Sequence, residues 1–156
     1  MIYCIDETLD EPIMLINSHI GFDEEDGMGI DGNLFQKELL YLDTLGKKRI
    51  QVWINSIGGV VLDGYSIGST ILKTKTPVDT YNVGIAASIA GAIFMCGRNR
   101  IMMDFAQFMM HPVSGSEDKK GYKSFMDSIS MLLSAKSNMT QEEVSGLMSD
   151  TTWLNA

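Results

Sequence analysis

Residues 49–59 have the sequence RIQVWINSIGG, in which a β-strand pattern runs directly into a pair of glycines. The apolar residues that alternate with the others in this stretch are Ile50, Val52 and Ile54. This alternation predicts a strand over residues 49–55, and residues 56–59 predict a turn. Backbone N–H groups of Gly58 and Gly59 are unhindered and could point at a ligand oxygen. A plain strand-to-helix turn is the alternative, because an isolated glycine pair is a weak signal.

The chain on either side of this stretch alternates between strand and helix patterns. Short apolar runs predict strands over residues 12–17, 78–83, 100–103 and 105–110. Apolar residues at helical spacing predict helices over residues 33–45, 60–73 and 121–139. A further helix is predicted to begin near Ser88, and the Thr-x-x-Glu capping box at Thr140 predicts the start of a last one. The acidic, glycine-containing residues 19–32 predict a loop.

This order of elements predicts an α/β fold with a largely parallel sheet. Strands that alternate with helices form right-handed crossovers, which bring the loops at the carboxyl ends of the strands to one edge. The 156 residues, of which 45% are hydrophobic, indicate a single domain over residues 1–156. The chain stops soon after the apolar pair Trp153-Leu154, which suggests truncation at the C-terminus.

Composition excludes several classes of function. The formal net charge of −8 argues against nucleic acid as a partner, since nucleic-acid binding depends on Lys and Arg neutralising phosphates. No apolar run approaches the roughly 18 residues that a membrane span needs. Two cysteines and the lack of a secretory signal predict a cytoplasmic protein. No cluster of metal-ligand spacing and no phosphate-binding glycine motif is present, so we expect neither a metal nor a cofactor.

A single serine stands among very small residues in the stretch GIAASIAGA, residues 84–92. Ser88 could be a helix N-cap that accepts from backbone N–H groups, which is the usual role of an isolated serine at such a place. It could equally be a nucleophile whose oxyanion is met by helix-end N–H groups, including that of Ile89.

A histidine at the end of a predicted strand is the best candidate for a base. His111 lies in MMHP, residues 109–112, where the proline turns the chain out of the sheet. The alternative is a surface histidine. The other histidine, His19, lies beside the acidic loop with no comparable hydroxyl near it in sequence, so His111 is the favoured partner for Ser88.

Together the motifs INSxGG (residues 54–59), GxAAS (84–88) and MxHP (109–112) resemble the proteolytic subunit of the Clp protease, ClpP. The resemblance runs from about residue 12 onward. It implies a ClpP/crotonase-like spiral of ββα units with a protruding long helix. It also implies that Ser88 is the nucleophile and His111 the general base. The backbone N–H groups of Gly59 and Ile89 would form the oxyanion hole.

The sequence departs from the family's usual pattern at two positions. Ile57 stands where the family usually has proline. The family's third catalytic residue, an aspartate, falls on Thr151 in the register set by residues 153–156, and Asp150 is one residue away. A threonine cannot stabilise an imidazolium as a carboxylate does, so Asp150 is the predicted orienter of His111.

The resemblance implies a serine endopeptidase that acts through an acyl-enzyme inside homo-oligomeric rings. The helix over residues 121–139 would join two rings, and a separate AAA+ ATPase unfoldase would feed protein substrates into the chamber. The peptide would bind as an added strand along residues 105–110 and the loop at Val60-Val61. A cytoplasmic Clp-type subunit and a phage-encoded relative that processes capsid proteins both fit.

Three alternatives remain open. A non-catalytic ring subunit would keep the architecture without the triad, as Thr151 favours. A crotonase-type enzyme would use the oxyanion donors to hold an acyl-CoA thioester and would need carboxylates nearby. A relative of signal-peptide peptidases would need a lysine base, and the nearest lysines are Lys73 and Lys75.

Overall fold

The computed structural model describes residues 1–25, 27–112 and 119–156. The strands are β1 (Ile13–Ile16), β2 (Ile50–Ser56), β3 (Val78–Ala87), β4 (Arg100–Met102), β5 (Gln107–Met110) and β6 (Thr152–Asn155). The helices are α1 (Gly32–Thr44), α2 (Val61–Lys73), α3 (Ile89–Met95), α4 (Lys119–Ala135) and α5 (Gln141–Met148).

The strands form one mixed sheet in the order β1-β2-β3-β5-β6, with β4 also paired to β3. The β1-β2, β2-β3, β3-β4 and β3-β5 pairs are parallel, and the β5-β6 pair is antiparallel. The predicted α/β fold with a largely parallel sheet is therefore confirmed. The carboxyl ends of β2, β3 and β5 meet at one edge, where the sequence places Gly58, Ser88 and His111.

Helices α1 and α2 pack against each other beside the sheet. Phe35, Leu39 and Leu42 follow one face of α1 at spacings of three and four residues, and all three are fully buried with Val52 and Ile54 of β2. Burial of each such side chain stabilises the fold by about 1.5–3 kcal/mol. These side chains belong to the same hydrophobic core, which extends to Ile54 near the end of β2.

The amino ends of three strands are joined by one buried carboxylate. Asp79, near the start of β3, is 1% exposed. Its Oδ1 accepts hydrogen bonds from the backbone N–H of Asn99, at 3.1 Å, and from the side-chain amide of Asn99, at 2.9 Å. Its Oδ2 lies 2.8 Å from Nη1 of Arg49. Because Arg49 precedes β2 and Asn99 precedes β4, Asp79 connects β2, β3 and β4 at this end.

Most predicted elements are found within a few residues of their expected bounds. The capping box at Thr140 is present, with Thr140 accepting from the N–H of Glu143 and Glu143 accepting from that of Thr140. Strand β3 continues to Ala87, beyond the predicted end at residue 83, and α4 ends at Ala135, before the predicted end at residue 139. Strand β6 was not predicted, because four residues ending in Trp-Leu-Asn have no alternation that distinguishes them from a loop.

Candidate active site

Ser88 lies on a sharp turn between β3 and α3. Its backbone has φ 55° and ψ −128°, and it is the one non-glycine residue with positive φ in the described part of the chain. This conformation costs of order 1–3 kcal/mol and is typical of functional sites. Ser88 occupies the N-cap position of α3, yet its side chain makes no capping hydrogen bond. The N-cap role considered for its hydroxyl is therefore not the one found in the structure.

The hydroxyl of Ser88 contacts the imidazole of His111 instead. The distance between Ser88 Oγ and His111 Nε2 is 2.9 Å. The backbone N–H of Ser88 also donates to the carbonyl of Met109, at 2.9 Å, which fixes the end of β3 against the end of β5. A nucleophile and a base within hydrogen-bond distance are the geometry that activates a serine.

The glycine turn after β2 passes directly against the turn of Ser88. Gly58 has φ +96°, and a Cβ at this position would lie 2.7 Å from the carbonyl oxygen of Ala87 and 2.8 Å from Cβ of Ser88. On the other side, Ile20 donates its N–H to the carbonyl of Gly58 and accepts from the N–H of Val60, both at 2.8 Å. Only glycine fits between these two neighbours.

The N–H groups of Gly59 and Ile89 are both available for a ligand oxygen. Neither is a donor in the backbone hydrogen bonds of the turns, loops and caps that the structure describes. Both residues line the same cavity as Ser88 and His111. Two unpaired donors next to a nucleophile are the arrangement of an oxyanion hole.

This cavity, of about 280 Å³, has mainly apolar walls. Four helices and the end of β5 supply them, through Val61, Ile89, Ala92, Met110, Ile129, Leu133 and Met148. No carboxylate is found among the described residues that line it. An apolar cavity with a few convergent polar groups is the usual form of a ligand site.

A family profile described as Clp protease matches residues 8–156. The chain belongs to the Clp protease family. One relative is the ATP-dependent Clp protease proteolytic subunit 2 of Borreliella burgdorferi, which is 41% identical over 86 residues, covering 53% of this chain and 43% of that protein. Another is the ATP-dependent Clp protease proteolytic subunit 1 of Salinibacter ruber, 35% identical over 89 residues, covering 54% of this chain and 38% of that protein. The matched part thus spans about two fifths of these relatives.

A solved structure has the same fold. It is a ClpP1 mutant from Listeria monocytogenes, with a TM-score of 0.80 at 24% sequence identity, and the match covers 92% of this chain and 82% of that one. The predicted ClpP-like fold is thereby confirmed.

In the register set by residues 153–156, the family's third catalytic residue corresponds to Thr151, which has no carboxylate to offer His111. The β5-β6 register ends with Met110 paired to Thr152, and its continuation by one residue would place Thr151 opposite His111. Asp150 is exposed, and its Oδ1 accepts from the N–H of Thr151 at 2.7 Å. Among the described residues, no ion pair or hydrogen bond joins Asp150 to His111. The role of Asp150 stays a prediction.

The expectation that a peptide adds to the sheet along residues 105–110 is wrong for the strand itself. Gln107–Met110 pairs with β3 on one edge and with β6 on the other, so no edge of β5 is open. The main chain of Val60 is also in use, because its N–H donates to Ile20 at 2.8 Å and its carbonyl accepts from the N–H of Gly64 at 3.1 Å, while Val61 is the first residue of α2.

His19 is a cavity residue that the sequence did not reveal. It is half-buried and lines the cavity with Ser88 and His111. Its placement depends on the pairing of Ile20 with Gly59, a contact between residues far apart in the chain. No local pattern around residue 19 signals such a contact.

The cysteine nearest to the site along the chain is chemically inert. Cys96 ends α3, is buried, and donates its Sγ–H to the carbonyl of Ala92. Burial raises the pKa of this thiol to about 11, so it is not a competing nucleophile at neutral pH. In the described ranges no group of three or more His, Cys, Asp or Glu could hold a metal ion, and no helix is long and apolar enough to cross a bilayer.

Proposed function

We propose that this chain is a serine endopeptidase that hydrolyses peptide bonds through an acyl-enzyme. The observation that carries the proposal is the 2.9 Å contact between Ser88 Oγ and His111 Nε2, at a strained turn beside two unpaired backbone donors. The family membership and the names of the relatives support it.

In this mechanism His111 takes the hydroxyl proton of Ser88 while Oγ of Ser88 attacks the carbonyl carbon of the peptide. The N–H groups of Gly59 and Ile89 stabilise the negative charge that develops on the carbonyl oxygen. His111 then gives the proton to the leaving amine, and water attacks the ester by the same route in reverse. The apolar cavity accepts the side chain next to the cleaved bond.

Labelling with a fluorophosphonate probe, read by intact mass, tests the proposal. We expect one adduct on the wild type and none on Ser88→Ala or His111→Ala. Ser149→Ala is a matched control, because its exposed hydroxyl donates only to the carbonyl of Gly146. Absence of an adduct on folded wild-type protein would contradict the proposal.

A second candidate is a non-catalytic ring subunit. It is favoured by the register that would place Thr151 opposite His111, and by the finding that no carboxylate among the described residues is bonded to His111. Such a subunit would assemble but would not react with the probe. The crotonase-type alternative is less well supported, because the described cavity residues include no carboxylate.

Assembly into rings and supply by a separate AAA+ ATPase in the cytoplasm are part of the proposal. In this chain Ile129 and Leu133 of α4 face the cavity and are buried, while Met131 on the same helix is 62% exposed. Ring contacts through α4 would therefore use residues such as Met131. Light scattering on the purified chain measures the assembly, and Met131→Glu should reduce it.

A further inference from the structure

His19 brings a second imidazole into the cavity that contains Ser88 and His111. Its backbone is fixed, because its carbonyl accepts from the N–H of Ile30 at 2.9 Å and the next residue, Ile20, pairs with the glycine turn. The side chain is thus attached to the same segment that holds Gly58 against the nucleophile.

The imidazole of His19 has unused hydrogen-bonding capacity. A neutral imidazole has one donor and one acceptor nitrogen. Within the described residues neither nitrogen of His19 has a hydrogen bond or an ion pair. A Cβ on Gly29 would lie 2.7 Å from Nε2 of His19, so the glycine at residue 29, with φ +103°, leaves room for the ring.

The described residues that line the rest of the cavity include no comparable group outside the proposed catalytic machinery. The other lining side chains are aliphatic or thioether, as at Val61, Leu133 and Met148. A hydrocarbon stem would be well accommodated along such walls, and the described lining residues include no charged group that selects by charge. His19 is then the polar group that an incoming side chain can meet.

We propose that His19 makes this cavity selective for a substrate side chain with an apolar stem and an uncharged hydrogen-bonding end, of which glutamine is the simplest. The inference rests on the proposed peptidase function and defines its substrate preference. A purely apolar side chain of the same length displaces water from the imidazole and leaves it unpaired. Sites that form a hydrogen bond with a substrate discriminate against analogues that lack it, for this reason.

Two short fluorogenic peptides test the inference. They differ only in the residue whose carbonyl is attacked, which is Gln in one and Met in the other; the two side chains are similar in length. We expect the wild type to favour the Gln peptide in kcat/KM by about fivefold or more, in line with one net hydrogen bond. His19→Leu should reverse this preference, and His19→Gln, which retains a donor and an acceptor, should keep it.

Probe labelling of Ser88 separates the two ways in which the experiment can fail. If His19→Leu still labels and cleaves but its Gln:Met ratio equals that of the wild type, the selectivity inference is wrong and the peptidase proposal stands. If the wild type neither labels nor cleaves, the peptidase proposal fails. Calorimetric binding of the same peptides to Ser88→Ala then decides the selectivity, since equal affinity for Gln and Met would overturn it without any turnover.

Discussion

The two ends of strand β3 are built in opposite ways. At its start, Asp79 is almost fully buried, bonded twice to Asn99 and paired with Arg49. Just beyond its other end, Ser88 has a strained backbone, and the N–H of Ile89 that follows it has no partner among the described turns and loops. One end therefore stabilises the sheet, and the other retains unsatisfied groups for a ligand.

The largest effect is expected from Gly58→Ala. A methyl group here would lie 2.7 Å from the carbonyl oxygen of Ala87, and alanine disfavours φ +96°. The turn and Ser88 must then separate, and we expect the probe-labelling rate to fall by about a hundredfold or more, as for loss of an oxyanion donor.

Gly146→Ala is the matched control for this change. Gly146 lies in α5, and nothing is found within 4 Å of a Cβ at this position. Labelling should be unaffected, and the free energy of unfolding should rise by about 0.5–1 kcal/mol, as expected for alanine in place of glycine in a helix. Equal labelling rates in Gly58→Ala and Gly146→Ala would show that the close approach at Gly58 does not matter.

Asp79→Ala tests the stabilising end of β3. Removing one partner of a buried ion pair typically costs about 3–5 kcal/mol. The side chain of Arg49 is 37% exposed and can be hydrated, so we expect about 2–3 kcal/mol here, measured by urea unfolding. Glu11→Ala is the control, since its pair with Lys48 lies at the surface and should contribute little to stability. Similar losses in the two variants would remove the distinction between the ends of β3.

We expect Thr151→Asp to increase the activity of the proposed site at the carboxyl end of β3. It introduces a carboxylate opposite His111, which would stabilise the imidazolium that forms when Ser88 gives up its proton. We expect kcat/KM to increase by about tenfold or more, because the carboxylate would orient the imidazole for proton transfer. Asp150→Asn tests the predicted orienter in the same assay. A loss of about a hundredfold would identify Asp150 as the orienter of His111, and a change of less than about threefold would show that it does not act in this role.

The smallest effect concerns the strain at Ser88. Ser88→Gly and Ser88→Ala both remove the hydroxyl, but only glycine adopts φ 55° without strain. We expect Ser88→Gly to be more stable than Ser88→Ala by about 1 kcal/mol in urea unfolding. Equal stabilities would mean that the turn of Ser88 stores no strain.

The sequence predicted most of the structure at the carboxyl ends of the strands, because the sequence patterns that specify it are local. The alternation over residues 49–55 and the glycines after it locate the turn of Gly58 without reference to the rest of the chain. The order of the motifs gave Ser88 and His111 as partners, and the structure brings them within 2.9 Å, while their roles stay a prediction.

The features that sequence reasoning missed depend on long-range pairing. His19 enters the cavity because Ile20 pairs with Gly59, and β6 forms because β5 offers it an edge. The register of β6, continued by one residue, would in turn place Thr151 opposite His111. The sequences around His19 and in β6 have no strand propensity strong enough to predict which strand they pair with. Their positions can therefore be derived only when the rest of the sheet is known.

Strand β6 has a consequence for synthesis on the ribosome. The chain emerges from its amino end, so Ser88 and His111 leave the ribosome before the residues that complete their surroundings. The edge of Gln107–Met110 is covered only when Thr152–Asn155 has emerged, and the cavity wall at Met148 arrives shortly before it. A nascent chain therefore has Ser88 and His111 before it has a finished cavity, and the proposed site is complete only once Thr152–Asn155 has emerged.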